Sequence, residues 1–221
     1  MSEIKAAGSI KLKGPIEFNN LDIGGSLKVE GDLTVNGEFR SGGSVVVDGN
    51  LTVNRMKSGG SVKISGTLIA NELAAGGSIS MATGVVRELD VGGSLTADTV
   101  YADRARISGT FKGVLIARSV VVEKKSKIKG RVIAGRLLLK RKTEVDEAYA
   151  VELEAEREAE VGKLACVKCL LGRGVWVGLL LYKESYEADK AEIDRVEKVE
   201  EIPELERLRE LEEELSKIGF K

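Results

Sequence analysis

Two cysteines three residues apart, in Cys166-Val167-Lys168-Cys169, are the first candidates for redox or metal chemistry. A reactive dithiol of this spacing opens a helix in a βαβ setting, where the helix N-terminus lowers the thiol pKa. Here the flanking residues are strand formers, which argues against redox chemistry. As metal ligands the pair supplies two of the four positions of a closed thiolate site, and only a symmetric dimer would complete it. The preferred reading is that one or both cysteines fill small core positions, as Ala and Val do elsewhere in the chain.

The chain contains no histidine. That removes the usual base near neutral pH and, with it, Ser–His and Cys–His nucleophile systems and imidazole-bound zinc. Glycine-rich phosphate loops run from a strand into a helix N-terminus. Each Gly-Gly-Ser of this chain instead runs strand to strand, and no Gly-Lys-Ser/Thr follows one. Paired carboxylates of a lyase or glycosidase are a third candidate. The acids gather in the C-terminal quarter, however, and Trp176 is the only tryptophan available as a sugar platform. No cofactor, nucleotide or metal is expected.

A basic run is the remaining candidate. Across 123–142 there are nine Lys and Arg residues against one acid, Glu123. With a repeat of about 16 residues, Lys124 and Lys125 stack beside Lys140 and Arg141 and concentrate charge on one edge. Such an edge fits an anionic lipid surface or a nucleic acid backbone. Without interleaved aromatics base stacking is not expected, so nucleic acid is the weaker partner. Glu154, Glu156 and Glu158 follow one repeat later, and inter-coil ion pairs to them are the preferred account of the run.

The elements that position these residues are set by a repeat, which governs any reading of the fold. Gly-Gly-Ser recurs with its serine at 26, 44, 61, 78 and 94, intervals of 18, 17, 17 and 16. Each copy leads into an apolar doublet: Leu27/Val29, Val45/Val47, Val62/Ile64 or Ile79/Met81. A second doublet follows at Leu33/Val35, Leu51/Val53 and Leu68/Ala70, then a third apolar position at Phe39, Met56, Leu73 and Leu89. Three short alternating strands per unit, joined at glycine corners, make one coil of a parallel β-helix. Flexible Gly/Ser linkers lack such β-branched, periodic residues. The corner glycines are expected to supply positive φ, and the serines a coil-to-coil ladder.

The period outlives the marker. Ile128, Val145, Val161, Val177 and Ile193 keep it, so the β-helix extends over 1–202 as roughly twelve coils. At about 4.8 Å per coil the rod is on the order of 55 Å long. Composition changes at Pro203. Leu205, Leu208, Leu211, Leu215 and Ile218 predict one amphipathic helix of about 15 residues within 203–221, opened by proline and stopped by Gly219. A helix that short is marginal alone, so its leucine stripe must be buried. Folded over the C-terminal end of the rod, those five residues would form an end cap. At the other end Ile4, Ile10, Leu12, Ile16 and Phe18 form a first, incomplete coil, whose uncovered edge is the expected self-association surface.

Bulk numbers agree with an all-β single chain. The sequence is 43% hydrophobic but only 4% aromatic, with two prolines to interrupt a ladder, and its net charge of −1 steers it toward no polyanion. No apolar run is long enough to span a membrane, and the N-terminus lacks the apolar core of a signal peptide. A reducing cytoplasm is the expected compartment. Abundant Lys, Arg and Glu without Gln or His points to a thermophilic source.

The repeated phrase Gly-Gly-Ser-Val-Lys-Ile-Ser-Gly-Thr-Leu-Ile-Ala, at a 17-residue period, resembles the bactofilins, the polymer-forming cytoskeletal family. The likeness is clearest over 8–135 and weaker to about 200. It implies a right-handed triangular β-helix that assembles end to end without nucleotide or metal, serving as a scaffold often found at the membrane. The rod is longer than the usual family core, and neither proline-rich tails nor a short apolar membrane-targeting stretch is present. A cap at one end would turn polymerisation into dimerisation through the open end. The expectation is therefore a non-enzymatic scaffold whose partner is a second copy of itself, as dimer or filament, with peripheral membrane contact as an option. The runner-up is a binding module that uses the basic edge for anionic membrane or nucleic acid; the third reading is a carbohydrate-active enzyme.

Overall fold

The computed structural model describes residues 3–219. Strands from Glu3–Ala6 to Glu192–Lys198 join one continuous 18-stranded sheet, and its pairings are parallel throughout. The sheet winds into a β-solenoid of about twelve turns, so the expected parallel β-helix is present. Each turn has three faces. Face A follows the Gly-Gly-Ser corner, as in Ser26–Glu30 and Ser61–Ile64, while Leu33–Ser41 and Leu51–Ser58 carry face B and then face C. From Ser78–Val91 to Trp176–Ala188 one strand per turn runs through all three faces, and the last, Glu192–Lys198, covers faces A and B.

Alternation explains the core. On a pleated strand successive side chains point to opposite sides, so one residue in two faces the interior of the coil. On face A an apolar column runs the length of the rod, from Ile10 and Leu27 through Val45 and Val62 to Val177 and Ile193. Val29, Val47 and Ile64 stack in register and are buried, as expected, with Met81 buried at the next turn.

The Gly-Gly-Ser corners work differently from the expectation. None of their glycines has positive φ; among the described residues the glycines that do are Gly31, Gly113, Gly130 and Gly174. Space is the cause instead. A Cβ on the second glycine of each pair would overlap the backbone of the preceding coil, Gly60 meeting the carbonyl oxygen of Gly43 and Gly77 that of Gly60. The first glycine meets nothing within 4 Å at Gly42 and Gly59. The Gly-Gly-Ser serines stack in register, but among the described residues their hydroxyls do not bond to one another; the one serine–serine hydrogen bond runs from Ser26 Oγ to Ser9 Oγ at 2.9 Å. Positive φ enters this corner only later, where Gly-Gly-Ser gives way to a longer turn: Lys125, Lys142 and Glu158 sit at 62°, 61° and 60°.

The C-terminal segment is a strap, and it corrects two expectations. First, the single helix of about 15 residues is a 3₁₀ segment, Pro203–Arg209, followed by a short α-helix, α1, Glu210–Ser216. The spacing explains the split: Leu205, Leu208 and Leu211 recur every third residue, which matches three residues per turn. Second, the strap is not an end cap. It lies along the side of the rod, the 3₁₀ segment against Thr110–Val122, Lys127–Leu139 and Glu144–Ala155, and α1 against Ser78–Val91, Ser94–Ile107 and Thr110–Val122.

What it covers is an outward row on face B. That row begins polar with Glu17, Thr34 and Thr52, turns apolar at Ile69, Val85, Tyr101, Ile116, Ile133, Tyr149, Ala165 and Leu181, and ends polar at Glu197. Ile116, Ile133, Tyr149 and Ala165 are buried in a second hydrophobic cluster with Ile202, against which Leu205 and Leu208 pack. Leu211 and Ile218 are also buried, and Leu215 is half-buried. Glu210 and Glu212 of α1 meet Tyr101 and Arg118 of the rod.

Candidate functional site

Among the described residues both rod ends are open. At the N-terminal end, Glu3–Ala6, Ser9–Lys13 and Ile16–Phe18 each pair on one side only, with the coil that follows. Ile4, Ile10, Leu12 and Ile16 are half-buried against the core, and Phe18 is buried. At the C-terminal end, Glu192–Lys198 pairs only with Trp176–Ala188. There Val196 is 40% exposed and Tyr186 37% exposed, the latter stacked edge-on against Tyr182 at 4.9 Å between ring centroids. Because the strap turns back along face B, it leaves this second end uncovered. Sequence reasoning placed the self-association surface at one end only. The C-terminal surface was missed because the leucine stripe was assigned to it as a cover.

The basic edge is largely neutralised between coils. Arg131–Glu147 and Arg136–Glu152 lie at 3.2 Å, Lys127–Glu144 at 2.7 Å and Lys142–Glu158 at 3.0 Å. Of the acids expected to do this, Glu158 does, and Glu156 accepts from the backbone N–H of Arg141 at 3.2 Å. Lys140 pairs with Glu123 at 2.9 Å and Arg141 reaches Glu158 at 3.9 Å. Lys124 and Lys125 are exposed on the adjacent coil, where the backbone N–H of Lys125 donates to the carbonyl of Arg141.

Cys166 and Cys169 both project into the core and are joined as a disulfide, with Cα atoms 6.0 Å apart. They occupy the columns of Ala150 and Leu153, so the expected core role holds, while the pairing of the sulfurs was not read from the sequence. Among the described residues no group of three or more His, Cys, Asp or Glu is placed to hold a metal ion.

A groove of about 630 Å³ lies on face C, with Arg55, Glu88, Arg104 and Glu123 among its walls. These charges answer one another: Arg55–Glu72 at 3.1 Å, Arg104–Glu88 at 2.6 Å and Arg106–Glu123 at 2.8 Å. Hydrolysis by paired carboxyls needs one acid with a raised pKa. Here hydrogen bonding from Lys140, then Arg106, holds the Glu123 carboxyl below the usual range. Lys142 does the same for Glu158, Arg40 for Glu38, and the Tyr149 hydroxyl, then Arg131, for Glu147. Tyr149 lies beneath the strap with its hydroxyl donating to Glu147 at 2.6 Å, and burial raises its own pKa.

These directions fix the expected pH dependence. A carboxyl held below its unfolded value stabilises the fold fully above about pH 4.5 and ceases to do so as pH falls through its folded value. A tyrosine whose folded pKa is raised costs stability once the unfolded side chain ionises, above about pH 10. With no histidine and with both cysteines joined as a disulfide, no side chain of ordinary pKa titrates in between. Circular dichroism melts should show a plateau from about pH 5 to 10, falling on both sides. An inflection near pH 6 would contradict this assignment of charges.

Comparison with family models, with curated proteins and with solved structures gives no match for the chain.

Proposed function

We propose that the protein is a structural, self-associating scaffold of bactofilin type, assembling through its β-helix ends without nucleotide or metal and without enzymatic activity. The observation that carries this reading is the pair of open ends, each presenting one-sided strands around an apolar cross-section. Unpaired N–H and C=O groups on an uncovered edge are a template for another chain. Both ends being open makes assembly beyond a dimer the natural outcome, in place of the one-ended dimerisation that a cap would impose. In the face C groove Glu72, Glu88 and Glu123 each pair with an arginine, and Glu123 is held below the usual carboxylate range, the opposite of what a general acid needs.

Among the described residues no helix is long and apolar enough to cross a membrane. We place the scaffold in the cytoplasm of a thermophile. That setting accommodates both the ion-pair-rich surface and the Cys166–Cys169 disulfide, since intracellular disulfides are common in hyperthermophiles. Electron microscopy and light scattering over a concentration series test the scaffold reading. Rods one β-helix wide that lengthen with concentration are expected. A monomer at every concentration would overturn it.

A further inference from the structure

We infer that Cys166 and Cys169 form a reversible thiol–disulfide site whose oxidation state sets how firmly the strap is held on face B. This is independent of the scaffold reading. It rests on where the pair sits, what its loop touches and what stacks upon it.

The pair replaces ordinary core packing in one coil. Cys166 is the last inward residue of face B and Cys169 the first of face C, so the bond bridges that corner inside the rod. In the four preceding coils the same two columns hold Ala102 and Ala105, Ala117 and Val120, Ala134 and Leu137, and Ala150 and Leu153. Those corners close without a covalent link, so the fold itself does not require one here. Nor is the pair placed as a catalytic dithiol, because it lies within the strand Glu160–Leu171 and opens no helix.

The loop that the bond closes reaches the strap. Between the cysteines Val167 faces outward and packs, half-buried, against the second hydrophobic cluster, as do Val199 and Leu205. Ala165, on the other side of Cys166, is buried in that cluster with Ile202. Fixing the Cys166–Cys169 corner therefore fixes the seat on which the root of the strap rests.

The coil above leaves this corner weak. Tyr182 stacks on Cys166 and Ser185 on Lys168, so the next coil carries one residue more here and its register shifts. Lys183 and Glu184 in that corner are exposed. The carbonyl of Tyr182 accepts the backbone N–H of Val199 at 2.9 Å, where the chain leaves the rod for the strap. The strap root thus hangs from the residue that stands on Cys166.

Exchange has a route to the pair. Cys169 is 6% exposed and Cys166 fully buried, and among the described residues no strand lies above 185–188 on face C. Local opening of this last layer admits a reductant. A dithiol then supplies two electrons and two protons. Its thiolate attacks one sulfur, its second thiol releases the other cysteine, and it leaves as a cyclic disulfide while Cys166 and Cys169 become thiols. With the corner no longer tied, Val167 is free to shift and the strap root loosens.

Hydrogen exchange on the full air-oxidised chain, before and after dithiothreitol, tests this, with alkylation counting the thiols. The oxidised protein should yield no alkylated cysteine and the reduced protein two. Backbone amides of 199–216 should exchange at least about fivefold faster after reduction, while those of 44–64, many coils away, keep their rates. Cys166→Ala with Cys169→Leu restores the pair of the preceding coil, and dithiothreitol should leave its exchange unchanged. Two alkylated cysteines before any reductant, or a disulfide that dithiothreitol never opens in the folded protein, would overturn the site. Equal exchange of the strap in both states would overturn its coupling to the strap. So would a rise spread evenly over the whole chain, the mark of a general staple. A response of the double variant matching that of wild type would place the effect outside the cysteines and sink the inference.

Discussion

Gly60→Ala should cost about 3 kcal/mol or more, whereas Gly59→Ala, one residue earlier, should leave stability unchanged or raise it slightly. A Cβ on Gly60 overlaps the carbonyl oxygen of Gly43 and lies 2.7 Å from the carbonyl oxygen and 2.8 Å from the carbonyl carbon of Gly42. All three atoms are backbone, so no rotamer change relieves the clash and the two coils must separate. Separation also strains the hydrogen bonds that cross this corner, from Gly60 N to Ser41 O at 3.2 Å and from Ser61 N to Gly43 O at 3.0 Å. Around Gly59 there is nothing within 4 Å, and its φ lies outside the range that strains an L-residue. Alanine there only reduces the freedom of the unfolded chain. Because each coil touches only its neighbours, the Gly60 defect should uncouple the N-terminal coils from the rest and split the melting curve. Thermal melts of the two variants decide the matter. Equal effects would mean that the corner glycines are chosen for conformation and not for space.

That asymmetry lies in the second Gly of each Gly-Gly-Ser, which was legible as a period but not as a contact. A repeat in sequence reveals which residues are equivalent, and the core columns at Val29, Val47 and Ile64 follow from alternation alone. How closely stacked backbones approach depends on the spacing of coils, which no single repeat encodes. The strap shows a different limit. Its leucines were read as a buried stripe, correctly, but their partner was sought at the rod end. The signal for the true partner was present in adjacent apolar pairs such as Val85-Val86, Leu115-Ile116 and Val132-Ile133. Two neighbours on a strand point to opposite sides, so an apolar pair means burial on both. Only half of each pair is needed for the interior. The other half marks the outside of face B as a surface that something must cover.

Removing 203–221 should therefore strip cover from the side of the rod and leave its ends as they were. Ile116, Ile133, Tyr149 and Ala165, all buried against the strap region in the intact protein, would face water along one face over four successive coils. A contiguous stripe of this kind exceeds what a free surface normally carries and promotes association. Each fully buried Leu or Ile lost from the strap removes about 1.5–3 kcal/mol of favourable burial, partly offset by the backbone entropy the strap regains. A net loss of about 3 kcal/mol corresponds to roughly 10 °C in Tm for a chain of this size. The truncated protein should melt earlier, bind a hydrophobic dye and associate side by side, giving wider objects in electron micrographs. A cap would predict the opposite shape, longer rods of unchanged width. Width against length in the same images thus separates a strap on face B from a cover on the rod end. A truncated protein with unchanged melting and no dye binding would show that the outward row on face B does not depend on the strap. Restoring solubility by Ile116→Thr and Ile133→Thr within the truncated chain would tie the association to that row, because threonine already occupies it at Thr34 and Thr52 in the uncovered coils.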